Sequence, residues 1–205
     1  MNSKALESKW QKKWEEAKVF ESEPKDGQEK YFVNCPYPYM NGYLHLGHAF
    51  TYLRADMVSR YQRMKDKNVL FPFAFHCTGT PIVAAAQRVK EGEKIQINAL
   101  KQMGLSDTLI KKFSEPEEWT KHFPDKAIED LKTFGSSIDW RRSFITTSLN
   151  PPYDRFIRWQ FNQLLKNDYL IKGSFLLFGV QRGRQLSEIT IDFQVRERRP
   201  KNTHF

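Results

Sequence analysis

Apolar residues recur every three or four positions between residues 3 and 20, where Leu6, Trp10, Trp14 and Ala17 share one helical face and Lys9, Lys12, Lys13, Glu15 and Glu16 lie elsewhere. This spacing predicts a surface helix that docks by one side. Turn chemistry at Glu23-Pro24-Lys25-Asp26-Gly27 leads into Tyr31–Cys35, an apolar run that suits a buried parallel strand ending at Cys35. Pro36 and Pro38 then hold their neighbours extended and forbid a helix over 36–39. From Gly47 onward, Phe50, Leu53, Met57, Tyr61 and Met64 predict a long helix with that stripe as its apolar face, closed by Lys65 and Lys67. A second strand is predicted over 68–75, continuous apart from Pro72. It ends at His76-Cys77-Thr78-Gly79-Thr80-Pro81 before an alanine-rich helix.

Strand, loop and helix thus occur twice, which predicts an α/β domain with a parallel sheet. Ligands of such folds sit at the carboxyl ends of the strands, so the loops around 36–48 and 76–81 are expected to face one pocket. Residues 91–123 are polar and broken by Gly92, Gly104 and Pro116, and read as a helical insertion at the sheet edge. A helix over Asp125–Phe134 stopped by Gly135 follows. After Asn150-Pro151-Pro152 comes another, with Phe156, Ile157, Trp159, Phe161, Leu164 and Leu165 at its apolar positions.

Composition narrows the classes. The 205 residues carry 33 Lys and Arg against 24 Asp and Glu, a net charge of +9 that favours a polyanionic partner such as RNA, although solvated lysines give the same count. The two cysteines, Cys35 and Cys77, stand far apart with no CxxC and no matching histidine pair, so neither a zinc site nor a disulfide framework is indicated. With no signal-peptide pattern and no apolar run of membrane length, the expectation is a cytoplasmic protein without membrane partners.

The candidate chemistry lies in Pro36-Tyr37-Pro38-Tyr39-Met40-Asn41-Gly42-Tyr43-Leu44-His45-Leu46-Gly47-His48. His45 and His48 flank Leu46-Gly47 at a helix start, where both can reach one anion and Gly47 lets a flat base approach the backbone. Asp139-Trp140-Arg141 is a second dense cluster. It reads as a structural corner, an aspartate paired with an arginine beside a tryptophan, because no phosphate-loop glycines accompany it.

These motifs together resemble the class I aminoacyl-tRNA synthetases, with His45-Leu46-Gly47-His48 as the HIGH motif. Within that class the chain is most similar to the leucyl-tRNA synthetases of the archaeal and eukaryotic cytosolic type. The resemblance also rests on Arg60-Tyr61-Gln62-Arg63, Phe75-His76-Cys77-Thr78-Gly79-Thr80-Pro81 and Ser137-Ile138-Asp139-Trp140-Arg141-Arg142, and covers residues 1–174. It implies the first half of a Rossmann-like catalytic domain that joins leucine to ATP as leucyl-adenylate and passes the leucyl group to tRNA-Leu. The implied partners are leucine, tRNA-Leu, ATP and Mg2+, with no metal held by this chain's own side chains. It implies His45 and His48 as catalytic residues that donate to phosphate oxygens. Asn41 and Gly47 join them around ATP, and Cys35, Tyr37, Tyr39 and His76 surround the amino acid. Two positions depart from the pattern: an aspartate stands in bacterial-type leucyl enzymes where this chain has His76, and a larger aromatic residue is expected at Cys35.

From residue 175 the family pattern is lost, and residues 194–201 form a basic tail. The expectation is a frameshifted or truncated start of the editing insertion, without a KMSKS loop, in a chain that does not aminoacylate alone and leaves an open sheet edge with exposed apolar surface. Two alternatives accompany this reading. One is an isoleucyl, valyl or methionyl enzyme of the same class. The other is a non-catalytic paralogue that binds RNA or a partner.

Overall fold

The computed structural model describes residues 3–171 and 194–195. They fall into two compact units that divide between Asn150 and Pro151. The boundary expected at residue 174 and the divergent tail lie outside the described residues, apart from 194–195.

The first unit is α/β. Three extended segments run side by side in parallel. β1 (Lys30–Phe32) pairs with β2 (Asn68–Leu70), and β3 (Ala74–Phe75) pairs with β4 (Phe144–Ile145). The predicted strand over 68–75 is therefore broken. Pro72 offers no N–H, so the ladder stops on either side of it. Bonds outside the ladders keep the segments in register: Val33 N–H donates to Leu70 O, Asp139 N–H to Phe71 O and Thr146 N–H to Phe75 O. β1 also differs from expectation. Its ladder ends at Phe32, whose side chain is exposed, while Val33 and Cys35 beyond it are buried.

Helix α1 (Ser3–Glu16) lies where its periodicity predicts, yet none of its residues is buried and Trp10 remains half exposed. Helix α2 (Leu46–Met64) inverts the sequence expectation. Phe50, Leu53, Met57, Tyr61 and Met64 all face outward, while Tyr52, Asp56 and Ser59 are buried. The inner face of α2 is thus held by directional polar bonds, and its apolar stripe adds to the exposed apolar surface anticipated for an open half-sheet.

α3 (Thr80–Lys90) begins after Gly79, whose φ of +91° suits glycine, with Pro81 in the first turn where its missing N–H costs nothing. Residues 91–123 are helical, as expected. They form α4 (Lys94–Gln102), α5 (Asp107–Lys112) and the start of α6 (Pro116–Thr133), which begins nine residues before the expected Asp125 and accommodates Pro124 in its interior. Ser106 caps α5 by accepting from Leu109 N. Gly92 and Gly104 adopt positive φ at the breaks, and Gly135, at φ +82°, follows α6. Far from an edge ornament, this segment supplies Leu100, Phe113, Trp119 and Phe123 to the same core as Phe71, Phe73 and Phe75.

The second unit consists of α7 (Pro151–Lys166), none of whose residues is buried, and β5 (Leu170–Ile171), paired antiparallel with β6 (Gln194–Val195). Among the described residues no helix is long and apolar enough to cross a membrane.

Candidate nucleotide site at the start of helix α2

His45 is the N-cap of α2, in extended backbone, and its Nδ1 accepts from Gly47 N–H at 3.1 Å. His48 returns the favour, its Nδ1 accepting from His45 N–H at 3.3 Å. The two bonds form a capping box in which histidines replace the usual hydroxyl and carboxylate. An Nδ1 that accepts carries no proton, so each ring is neutral with its hydrogen on Nε2. The rings lie 4.1 Å apart between centroids. The result is two Nε2–H donors at the positive end of a 19-residue helix.

Burial, and then the neighbouring His45, holds His48 below the usual imidazole range. His122, packed among Tyr43, Phe113 and Phe123 with an Nε2 that has no partner among the described residues, is lowered mainly by burial as well. Both are neutral in folded and unfolded chains above about pH 6.5. Below it the unfolded chain binds protons that the folded chain refuses, so stability is expected to fall as pH drops from there. Urea titrations at pH 7.5 and 5.5 check this, and His122→Phe should flatten the acid limb.

Gly47 is required here for a steric reason. A Cβ at this position would lie 2.9 Å from His45 Cε1 and 3.1 Å from its Nδ1. Gly47→Ala is expected to swing the His45 ring off its cap, at about 1 kcal/mol of stability, measured by urea titration.

The second loop comes against the first through the backbone. His76 N–H donates to Pro38 O and Met40 N–H to His76 O, and the Tyr39 and His76 rings meet 4.1 Å apart. Tyr39 and His76 are thus brought together, as are His45 and His48, whereas Asn41 stands exposed on the turn between the pairs. Tyr37 is wedged edge-on against Phe73 and Phe144, a packing position, and burial raises its hydroxyl above the usual range. Cys35 and Cys77 are buried thiols pushed up to about 11 and about 12. A cavity of 300 Å³ is lined by none of these residues and lies instead beside α1.

Sequence patterning missed the residues that hold α2 in place. His48 stacks on Tyr52, which packs edge-on against Phe73. Asp56 accepts from Ser137 N–H and from Arg60 Nε at 2.7 Å. Arg60 also donates to Gly135 O, and Arg63 donates to Ser137 Oγ at 2.7 Å and to Ser137 O at 3.0 Å. Burial brings Arg63 down to about 10. The four-residue spacing of His48, Tyr52, Asp56 and Arg60 was the available signal. Through these bonds the Arg60–Arg63 turn of α2 is joined to the 135–137 segment.

Asp139 is buried and serves as a corner. It takes Ser22 N–H and two guanidinium bonds from Arg141. Burial opposes its ionisation, but those bonds outweigh it and keep the carboxyl below its usual range. The structural reading of this cluster therefore fits, with Trp140 half-buried beside it.

A family model described as tRNA synthetases class I (I, L, M and V) matches residues 9–199. The leucine–tRNA ligase of Aeropyrum pernix is 49% identical over 170 residues, 83% of this chain and 18% of that protein. That of Methanococcoides burtonii is 44% identical over 174 residues, 84% of this chain and 18% of that protein. The cytoplasmic leucine–tRNA ligase of Pongo abelii is 40% identical, over 77% of this chain and 18% of that protein. This chain therefore spans under one fifth of the length of these relatives. Among solved structures, the LeuRS of Agrobacterium radiobacter K84 agnB2, in a ternary complex with tRNA and LeuAMS, superposes with a TM-score of 0.61 at 23% identity over 82% of this chain and 18% of that one, a likeness of fold. The capping histidines, the parallel sheet behind them and the match along residues 9–199 lead to one conclusion: the chain belongs to the class I tRNA synthetases of the isoleucine, leucine, methionine and valine group.

Proposed function

We propose that this chain provides part of the adenylate-forming site of a leucine–tRNA ligase, acting in the cytoplasm. The carrying observation is the pair of capping histidines, which leaves two neutral Nε2–H donors at one helix end. In the reaction a carboxylate oxygen of leucine attacks the α-phosphorus of ATP, and the bond to the departing pyrophosphate breaks. Two anions must approach, so donors fixed before the reaction stabilise charge as it builds on the phosphoryl oxygens. His45 and His48 take that role without changing protonation state. Gly47 and Asn41 are assigned to ATP beside them, the bare Cα of Gly47 giving its space to the His45 ring.

The leucine side chain is assigned to the loops joined at Tyr39 and His76, with Cys35 and Tyr37 behind them. Among the described residues no three His, Cys, Asp or Glu side chains group to take a metal ion, and no step is assigned to one. The leucyl group then passes to tRNA-Leu.

The test is amino-acid-dependent ATP–pyrophosphate exchange by a ligase carrying this segment, with leucine, isoleucine, valine and methionine in parallel. Leucine should exceed isoleucine by at least ten-fold, since a site shaped for one branching pattern is worth about 1–3 kcal/mol. Equal rates for all four would remove the leucine assignment, and exchange with methionine alone would reassign it.

A further inference from the structure

The 300 Å³ cavity lies between α1 and the 132–141 segment, and nothing in the adenylation reading uses it. Its walls are aromatic: Trp14, Phe20 and Trp140 line it, with Ile138 alongside. Trp14 and Phe20 meet edge to face at 5.6 Å, and Arg60 lies over both rings, at 5.4 Å and 5.2 Å from their centroids. The guanidinium is itself fixed by Asp56 and Gly135, so the aromatic wall is held before any ligand arrives.

The charges around the cavity are unequally occupied. Glu15 is taken by Lys132 at 3.1 Å and Glu21 by Arg141 at 3.3 Å. Lys18 is exposed, in left-handed backbone at φ 52°, and has no ion pair among the described residues. Of the other two lysines of the lining, Lys132 is engaged by Glu15, and Lys12 makes only a loose 3.8 Å contact with exposed Glu16. A ligand that fits offers a flat π-face to the rings and an anionic group to Lys12 and Lys18. The volume is at the lower end of the range for small-molecule sites, about 300 to 1,000 Å³.

We infer that this cavity binds a nucleoside monophosphate unit, the base against Trp14, Phe20 and Trp140 and the phosphate toward Lys12 and Lys18. Base stacking on aromatic side chains tolerates any base, and lysine supplies the salt-dependent part. The unit can come from a free nucleotide or from an unpaired base of an RNA, and the experiment separates these sources.

The probes are uridine 5′-monophosphate and a uridine hexanucleotide, titrated into the 205-residue chain while tryptophan fluorescence is followed. Quenching is expected with both, at least five-fold weaker in Lys18→Glu, an exposed substitution that leaves the fold alone, and lost in Trp140→Leu. An affinity for the hexanucleotide ten-fold or more above that for the monophosphate, falling steeply with salt, assigns an RNA base. Equal affinities assign a free nucleotide. Absence of quenching by either probe up to 10 mM, or quenching that Lys18→Glu leaves unchanged, overturns the inference. So does loss of quenching in His48→Gln, which would place the ligand at the start of α2 instead.

Discussion

His48→Ala, in a leucine–tRNA ligase carrying this segment, is expected to slow leucine-dependent ATP–pyrophosphate exchange by about 10²–10³-fold, the usual cost of removing one donor aimed at developing charge. The reason lies in the capping box. His48 Nδ1 is committed to His45 N–H, so its Nε2–H is the atom left for a phosphoryl oxygen. The loss should appear in kcat more than in the KM for ATP, because the donor matters most when charge peaks in the transition state. His48→Gln is the informative partner. Its amide can accept from the cap through oxygen and donate through nitrogen, so it should recover part of the rate. A full-rate His48→Ala enzyme would show that the pair serves only to cap α2.

Trp119→Ala should destabilise the first unit by about 3–5 kcal/mol, the range for removing a large buried aromatic. Trp119 is fully buried, its Nε1 donates to Phe113 O at 2.8 Å, and its ring packs against Phe113 and Phe123. Substitution leaves a cavity and orphans the Phe113 carbonyl together. Thermal unfolding followed by circular dichroism provides the measure. A change within about 0.5 kcal/mol, the scale of a surface substitution, would mean that residues 94–133 fold independently of the sheet. Trp119→Phe keeps most of the ring contact and should lose far less.

The Trp119 case shows where sequence patterning failed. Residues 91–123 read as a helical insertion at the sheet edge, and they are helical, but their share of the core was not legible. Leu100, Leu105, Ile110, Phe113, Trp119 and Phe123 converge only when three short helices fold over one another. α4 and α5 each bury a single apolar position, too few to register as a periodic stripe, whereas α6 buries Trp119, Phe123, Ala127 and Leu131 at four-residue spacing. The helix expected over Asp125–Phe134 begins at Pro116 and buries Pro124 within it.

The sequence by itself determined the local features whose causes are local. Pro36 and Pro38 kept their loop open, Gly79, Gly92, Gly104 and Gly135 marked breaks that need positive φ, and His45 and His48 stood at spacing that closes a capping box. The matched motifs carried the family. The tertiary structure decided which face of α2 turns inward. Period alone cannot choose between an apolar stripe and the polar row Asp56, Arg60 and Arg63 when that row finds Gly135 and Ser137, 74 or more residues away. It also decided that Pro72 splits one strand into two pairings, because a missing N–H matters only once a neighbouring strand is there to receive it. Local chemistry is written in the order of residues, whereas burial depends on partners that the order of residues does not name.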